Sequence, residues 1–141
     1  MKALPLTCGK RPEYKEEIMY TFNENEKEYR FGDSGPKYLM KGPRSNFALV
    51  QFMPGQDFPN HYHNFMEENF FIIEGELEFI INGDLIQAVP GDFIHVEPKE
   101  HHYVRNVSGN SAKMTSSLAP FHEVDKINAP LEENYRMKEA K

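Results

Sequence analysis

Hydrophobic residues along this chain recur in short runs that are separated by turn signals. In the clearest run, Leu77, Phe79 and Ile81 are predicted to face one side of a strand, with Glu76 and Glu78 on the other side. An Asn-Gly pair directly after this run is typical of a tight hairpin turn. Similar extended segments are predicted at residues 18–22, 29–31, 38–40, 46–53, 69–74, 85–89, 93–96, 103–107 and 113–118. Many short strands at regular spacing favour an all-β sandwich or a closed barrel.

Two segments depart from the strand pattern. The acidic residues 24–28 are predicted to form a solvated loop. The tail carries Pro130 at a possible first helical position, followed by early carboxylates and late lysines, which is typical of a short helix. A frayed end is the alternative for this tail.

Length and charge narrow the class of protein. A chain of 141 residues is expected to form one domain, and a net charge of −6 gives no indication of a nucleic-acid partner. Cys8 stands alone, which excludes an internal disulfide and fits a reducing compartment. No apolar run has secretory or membrane-spanning length. We therefore expect a cytoplasmic protein that does not bind membranes.

The most informative stretch holds two histidines and a glutamate. His61 and His63 are one residue apart, so on a strand their side chains point to the same side. Glu68 follows at an odd offset, so the chain must turn through residues 64–67 for all three side chains to meet. Imidazole and carboxylate together suit zinc, iron, manganese, nickel or copper. By itself, a His-x-His pair is more often a surface accident or a hydrogen-bonded core pair.

This stretch resembles the first motif of the cupin superfamily, G-x5-HxH-x3,4-E-x6-G. Every fixed position is present, at Gly55, His61, His63, Glu68 and Gly75. The resemblance, over residues 45–120, implies a single jelly-roll β-barrel with short N-terminal strands in the one domain 1–141. The barrel core is expected at residues 38–120, between an N-terminal arm (1–37) and a C-terminal tail (121–141). It further implies a homodimer that buries part of residues 14–40.

A fourth ligand is expected from the adjacent pair His101 and His102, of which only one can face inward on a strand. If His102 faces inward, then Val104 does too and Arg105 faces outward, as expected for a charged residue that is rarely buried without a partner. The resemblance also favours His102, because the second cupin motif has an Asn four residues after its histidine, here Asn106. The glycine that this motif usually carries before the histidine is absent.

Parity along the strands also predicts a substrate pocket. Phe70 and Ile72 share the facing of Glu68, and Val104 is expected to face the same interior. His95 either faces the cavity as a proton shuttle or is an ordinary hydrogen-bonded histidine. The aromatic content of the chain favours an apolar pocket for a small molecule.

Three neutral imidazoles and one carboxylate leave coordination positions open on one divalent transition metal (Fe, Mn, Ni, Zn or Cu). An open site can polarise a carbonyl, generate hydroxide or bind dioxygen. The resemblance implies similarity to quercetinase-like dioxygenases and to sugar or acid isomerases and lyases. We therefore expect a metal-dependent enzyme acting on a small oxygenated molecule, with an oxidoreductase of dioxygenase type ahead of an isomerase or lyase. Glu68 is a ligand and a candidate acid–base group. The alternative is a small-molecule-binding module that performs no catalysis.

Overall fold

The computed structural model describes residues 18–140 and consists mainly of antiparallel strands. In chain order the elements are β1 (Gly35–Lys41), β2 (Asn46–Phe52), β3 (Asp57–Tyr62), β4 (Glu67–Glu74), β5 (Leu77–Ile81), β6 (Asp84–Ala88), β7 (Phe93–Val96), β8 (His102–Arg105), β9 (Ala112–Ala119), β10 (Ile127–Asn128) and the helix α1 (Leu131–Glu139). Among the described residues, no helix is long and apolar enough to cross a membrane.

The strands form two five-stranded sheets that face each other across the core. The first sheet has the order β1-β2-β9-β4-β7 and the second has the order β10-β3-β8-β5-β6. Chain neighbours such as β3 and β4 lie in different sheets, so the chain crosses repeatedly from one sheet to the other, as in a jelly roll. The predicted all-β jelly roll with a C-terminal helix is confirmed.

The register of the first sheet places the inward side chains in rows. From the open end to the closed end, the rows across β2, β9 and β4 are Asn46, Leu118 and Glu68; Ala48, Ser116 and Phe70; and Val50, Met114 and Ile72. Met114 and Ile72 are completely buried. The interior is therefore filled beside Met114 and Ile72, and space for a ligand is left toward the first two rows, where the cavity also reaches Val50.

Two tight turns have positive φ angles at asparagine or glycine, the residues that adopt such angles most readily. The hairpin between β5 and β6 turns at Asn82 and Gly83, whose φ angles of 48° and 84° are those of a type I′ turn, as predicted. Gly75, the last glycine of the cupin motif, has φ +74°, and a Cβ at that position would lie 2.5 Å from the backbone oxygen of Ser111. Only glycine fits there without moving the backbone.

The second sheet is covered on its outer face, contrary to the simple alternation read from the sequence. Glu78, expected on a polar face, is buried and forms an ion pair with Arg105, its cross-strand neighbour. Nδ2 of Asn134 in α1 donates to the carbonyl oxygen of Ile80 at 2.7 Å and to Oδ1 of Asn60 at 2.8 Å, and its Oδ1 accepts from the backbone N–H of Gly83 at 2.7 Å. The tail is thus a docked helix and not a frayed end.

The predictions for the N-terminal region are less accurate. Residues 18–22 form no strand, and the acidic segment contains a short 3-10 helix at Glu24–Glu26 where a loop was predicted. Oδ1 of Asn23 accepts from the N–H of Asn25 and so caps this turn. Tyr29 forms an isolated bridge with Gly32. Cys8 lies outside the described residues.

Candidate metal centre

The structure brings four potential metal ligands together at the open end of the barrel. His61 lies near the end of β3, His63 follows that strand, Glu68 lies near the start of β4, and His102 begins β8. Their donor atoms all lie within 4.8 Å of one another, and all four residues are buried. Oε1 of Glu68 is 2.9 Å from Nε2 of His102, 3.2 Å from that of His63 and 3.9 Å from that of His61. These are the four residues that the sequence predicted as ligands.

The turn between β3 and β4 is held by a carboxylate from the tail. Oδ1 of Asp125 accepts from the N–H of Asn64 at 2.8 Å, and its Oδ2 accepts from Phe65 at 2.9 Å and Met66 at 3.0 Å. Burial would raise the pKa of Asp125, but these three backbone N–H groups outweigh it and the pKa is lowered. Asp125 therefore fixes the turn that allows Glu68 to meet the histidines.

The three histidine rings are oriented by backbone carbonyls. Nδ1–H of His61 donates to the oxygen of Pro59 at 2.9 Å, and Nδ1–H of His102 donates to that of Glu100 at 2.9 Å. Nδ1–H of His63 donates to the carbonyl oxygen of Asp125 at 2.8 Å. A carbonyl only accepts, so Nδ1 of each ring carries a proton and Nε2 is the nitrogen that faces Oε1 of Glu68. Once it has lost its own proton, Nε2 would direct its lone pair to a bound metal ion. Carbonyl partners of this kind orient metal-binding histidines in proteins.

The second oxygen of Glu68 is also occupied. Oγ of Ser116 on β9 donates to Oε2 of Glu68 at 2.6 Å and leaves Oε1 facing the imidazoles. Burial would raise the pKa of Glu68, but its hydrogen bonds with His102, His61 and His63 hold the pKa well below the ordinary value. Glu68 is therefore ionised at neutral pH and gives the donor set a negative charge.

The histidines respond differently to this environment. For His61, burial is the largest influence and lowers the pKa. For His63, burial also opposes the charged form, but the hydrogen bond and charge of Glu68 together with the carbonyl of Asp125 raise the pKa. Three directed imidazole nitrogens and one ionised carboxylate oxygen, converging within a few ångströms, fit a divalent transition-metal ion.

His101 does not belong to this group. Although it is buried, its ring lies on the other face of the strand, where Nδ1 accepts from Nδ2 of Asn60 at 3.2 Å. The ring also stacks on Tyr62, with the centroids 4.6 Å apart. Of the adjacent histidine pair, the structure directs His102 inward and gives His101 a packing role beneath the tail.

The metal centre lies in the wall of a cavity of about 280 Å³. Phe70 and Val104 line this cavity, as the strand parity predicted. Ile72 does not, because parity gives the side of the sheet but not the depth, and Ile72 is completely buried beside its cross-strand neighbour Met114. That part of the predicted pocket is wrong.

Of the two alternatives for His95, the structure supports the ordinary hydrogen-bonded histidine and not the proton shuttle. His95 lies on the outer face of β7, opposite Asn69, while its neighbours Ile94 and Val96 face inward. Its Nδ1 lies 2.5 Å from Oδ1 of Asn69, and Nε2 contacts Glu97. The contact with Glu97 raises the pKa of His95. The ring is exposed and cannot reach the cavity.

Asp125 and Ser116 are the supporting residues that the sequence did not reveal. Ser116 follows Ala112 and Met114 in the inward parity of β9, and a small polar residue among apolar ones is its only local signal. Asp125 carries no local signal, since its partners lie about sixty residues earlier in the chain.

Asp125→Ala is expected to lower the free energy of unfolding by about 2 kcal/mol, because three backbone N–H groups lose a charged acceptor. The same change is expected to weaken metal binding by about ten-fold, since the β3–β4 turn and the ring of His63 lose their support. Urea denaturation and chelator competition measure the two effects. Glu123→Ala removes a carboxylate from an exposed site in the same segment and is the matched control. Equal effects in both variants would contradict the assigned role.

Comparison with known proteins identifies one matching family and several solved structures of similar fold. The family model for the cupin domain matches residues 48–118. An uncharacterised protein with a double-stranded β-helix domain from Klebsiella pneumoniae has a TM-score of 0.66 at 21% identity, covering 77% of this chain and 96% of its own. The polyketide cyclase RemF from Streptomyces resistomycificus has a TM-score of 0.66 at 19% identity, covering 84% and 92%. A nucleoside dehydratase has a TM-score of 0.64 at 21% identity, covering 80% and 92%.

These likenesses establish the fold and, at such identities, no activity. None of the functionally curated proteins matches this sequence. The chemistry of this chain must therefore be argued from its own residues.

Proposed function

Because the chain belongs to the cupin family, we propose that it is a metal-dependent enzyme of dioxygenase type that oxidises a small oxygenated organic molecule. His61, His63, Glu68 and His102 would hold one divalent ion, and Fe, Mn, Ni, Zn and Cu all accept such a donor set. When bound, the ion supplies Lewis-acid chemistry and, in the case of a redox-active metal, one-electron chemistry toward dioxygen.

The observation that carries this proposal is the position of the donor set in the wall of a largely apolar cavity. A volume of about 280 Å³ suits a small organic molecule and not a polymer. Around the ligands the wall is formed by Ala48, Phe58, Phe70 and Val104. These four side chains are apolar, and the polar lining group that contacts a candidate ligand is the hydroxyl of Ser116.

The engagement of both carboxylates in the cavity wall favours oxidation as the first candidate, and Tyr38 and Lys126 are the other lining residues of a type that can transfer a proton. Isomerisation and elimination need a general acid or base within hydrogen-bond reach of the reacting atoms. Among the described residues that line the cavity, the carboxylates are Glu68 and Asp57. Glu68 is engaged by the histidines and Ser116, and Asp57 accepts a hydrogen bond from the hydroxyl of Tyr103 at 2.6 Å. Metal-dependent reaction with dioxygen needs no additional group of this kind.

A non-oxidative isomerase or lyase on the same centre is the second candidate. Two solved proteins of this fold are a polyketide cyclase and a nucleoside dehydratase, and dehydration involves no net oxidation. In such a reaction Glu68 would act as an acid–base group as well as a ligand, with Ser116 holding its second oxygen.

The test begins with elemental analysis of protein purified without a metal-affinity tag, followed by reconstitution with Fe²⁺, Mn²⁺, Ni²⁺ or Zn²⁺ separately. We expect oxygen consumption, measured with an oxygen electrode, with a member of a catechol, flavonol or keto-acid panel. His63→Ala removes a ligand and is expected to abolish this consumption. His122→Ala, which changes an exposed histidine stacked on Phe65, is the matched control and is expected to leave it intact.

Turnover that Zn²⁺ restores without oxygen consumption would favour the isomerase or lyase instead. Retention of a small molecule through purification, with no turnover under any metal, would contradict an enzymatic function. That outcome would support a binding module in which the metal organises the pocket.

We also propose that the protein forms a homodimer through its N-terminal region. β1 is an edge strand of the first sheet, so one side of its backbone is available for pairing. Met19, Tyr20 and Phe31 in the same region are large, apolar and mostly exposed. Sedimentation at micromolar concentration tests the proposal, and a monomer would contradict it.

A further inference from the structure

A second, smaller cavity adjoins the cavity that contains the metal centre. It has a volume of about 170 Å³, and Phe31, Asp57 and Phe58 line both cavities. These three side chains therefore form a wall that the two spaces share. Phe58 lies on β3 three residues before the ligand His61, which corresponds to about 10 Å along the strand. A molecule that reaches from the metal centre past Phe58 enters the second cavity.

Phe31 is held at this shared wall by a hydrogen-bonded turn. Its backbone N–H donates to the carbonyl oxygen of Ser34 at 3.0 Å, and Oγ of the completely buried Ser34 accepts from Nε2 of Gln56 at 2.9 Å. The ring lies so close to Gly35 that a Cβ there would be 2.7 Å from Cδ2 of Phe31. The residue is nevertheless 65% exposed. A large apolar ring that is fixed at the rim of an apolar cavity and left uncovered is a surface that a ligand can bury.

The second cavity offers mainly apolar surface to such a ligand. The rings of Phe52 and Phe58 pack together in its wall, with their centroids 5.0 Å apart. Its polar side chains are Gln51, Gln56 and Asp57, and each of them already forms a hydrogen bond with another part of the chain. Burial of apolar surface is therefore the main interaction that this cavity can provide.

We propose that the second cavity is a subsite for an apolar tail of the substrate, with Phe31 as the specificity-determining residue at its entrance. This inference rests on the proposed function and specifies its substrate class: an elongated molecule with a metal-binding oxygen at one end and an apolar chain or ring at the other. The tail passes Phe58 and covers the exposed face of Phe31.

The experiment uses the full chain loaded with Zn²⁺ and a series of hydroxamates, whose common head group chelates the metal. Butyrohydroxamate is short enough to remain in the metal cavity, whereas decanohydroxamate reaches the second cavity. Each methylene group that is buried there is expected to raise the affinity by about four-fold. Isothermal titration calorimetry is therefore expected to show that decanohydroxamate binds at least about thirty-fold more tightly than butyrohydroxamate. A phenyl-terminated hydroxamate of the same length distinguishes a ring from a chain, and we expect the ring to bind more tightly, because aromatic pairs attract each other beyond their burial.

Phe31→Ala is expected to reduce the preference for the long tail to less than about five-fold, because the tail loses the ring that it covers. Phe31→Tyr keeps the ring and is expected to retain the preference. Phe93→Ala removes a similarly exposed ring that lines neither cavity, and is the matched control. An equal affinity for the two tails in the unaltered protein overturns the subsite, as does a loss of preference in Phe93→Ala that equals the loss in Phe31→Ala.

Phe31 also lies in the region proposed for the dimer, so sedimentation of each variant accompanies the titrations. A Phe31→Ala variant that no longer dimerises but keeps the full preference for the long tail overturns the subsite. A variant that loses the preference at an unchanged oligomeric state supports it.

A second measurement is independent of the metal. In the metal-free full chain, octanol is expected to shift the backbone amide resonances of Gly35 and Gln56 in a saturable way, whereas triethylene glycol, a polar molecule of similar length, is not. Unmoved resonances of both residues overturn the subsite. Failure of butyrohydroxamate to bind the Zn²⁺-loaded chain would instead contradict the metal-dependent function, so the two failures are distinguishable.

Discussion

Replacing His102 with Ala is expected to weaken the binding of a divalent metal by more than about a hundred-fold, because loss of a ligand exceeds the 10- to 100-fold cost of losing a ligand's support. Replacing His101 with Ala is expected to change this affinity by less than about three-fold, since the His101 ring faces Asn60 and Tyr62 on the other side of the strand. Competition with a chromophoric chelator for Zn²⁺ measures both affinities.

The His101 variant also serves as the control for misfolding. His101→Ala removes a buried ring and is expected to lower the melting temperature, whereas His102→Ala removes a ring whose main partners are the other metal ligands. A circular dichroism spectrum of each variant checks that the barrel is retained. If His101→Ala abolished metal binding and His102→Ala did not, the assigned register of β8 would be off by one residue, and every facing along this strand would reverse.

Glu68→Gln is expected to weaken metal binding by about a hundred-fold at a pH of about 8, because glutamine keeps the shape but supplies a neutral and poorer donor. The pH dependence is expected to change as well. Protons compete with the metal for the histidines, so affinity falls as the pH drops through the pKa of each metal-free imidazole. In the unaltered protein, Glu68 raises the pKa of His63, so this fall begins at a higher pH than for an ordinary histidine.

Removal of the negative charge of Glu68 reverses that shift. Without it, the pKa of His63 falls, and proton competition in Glu68→Gln is expected to begin at a lower pH than in the unaltered protein. Metal titrations of both proteins between about pH 5 and 8 test the sign, since free histidine titrates near about 6.5. An unchanged affinity would show that the carboxylate is not a ligand and would leave a three-histidine centre.

The ligands were predictable because their spacing is local. His61 lies on β3, His63 directly follows that strand and Glu68 lies on β4, so alternation and one turn fix their meeting point. The prediction of His102 required only a choice between two adjacent histidines, His101 and His102. Ser116 and Asp125 were not predictable, because their contacts depend on which strands pair and on where the tail docks.

The errors have the same origin. Alternation correctly gave the inward facing of Ile72, but only the pairing with β9 shows that Met114 fills the space beside it. The apolar neighbours of His95 already indicated that its own side chain faces outward. Glu78 was expected at a polar surface because the sequence does not show that Arg105 pairs with it across the strands.

The docking of Asp125 and Asn134 has a consequence for the order in which this protein matures. All four metal ligands precede Asp125 in the chain, so during synthesis they emerge from the ribosome before the residue that fixes their turn. Until the tail docks through Asn134, the turn at Asn64 and the ring of His63 lack their anchor. Anything that binds only the completed arrangement also stabilises it. We therefore expect full metal affinity only after the tail has docked, and we expect a chain truncated before Asp125 to keep all four candidate ligands but to bind a metal more weakly.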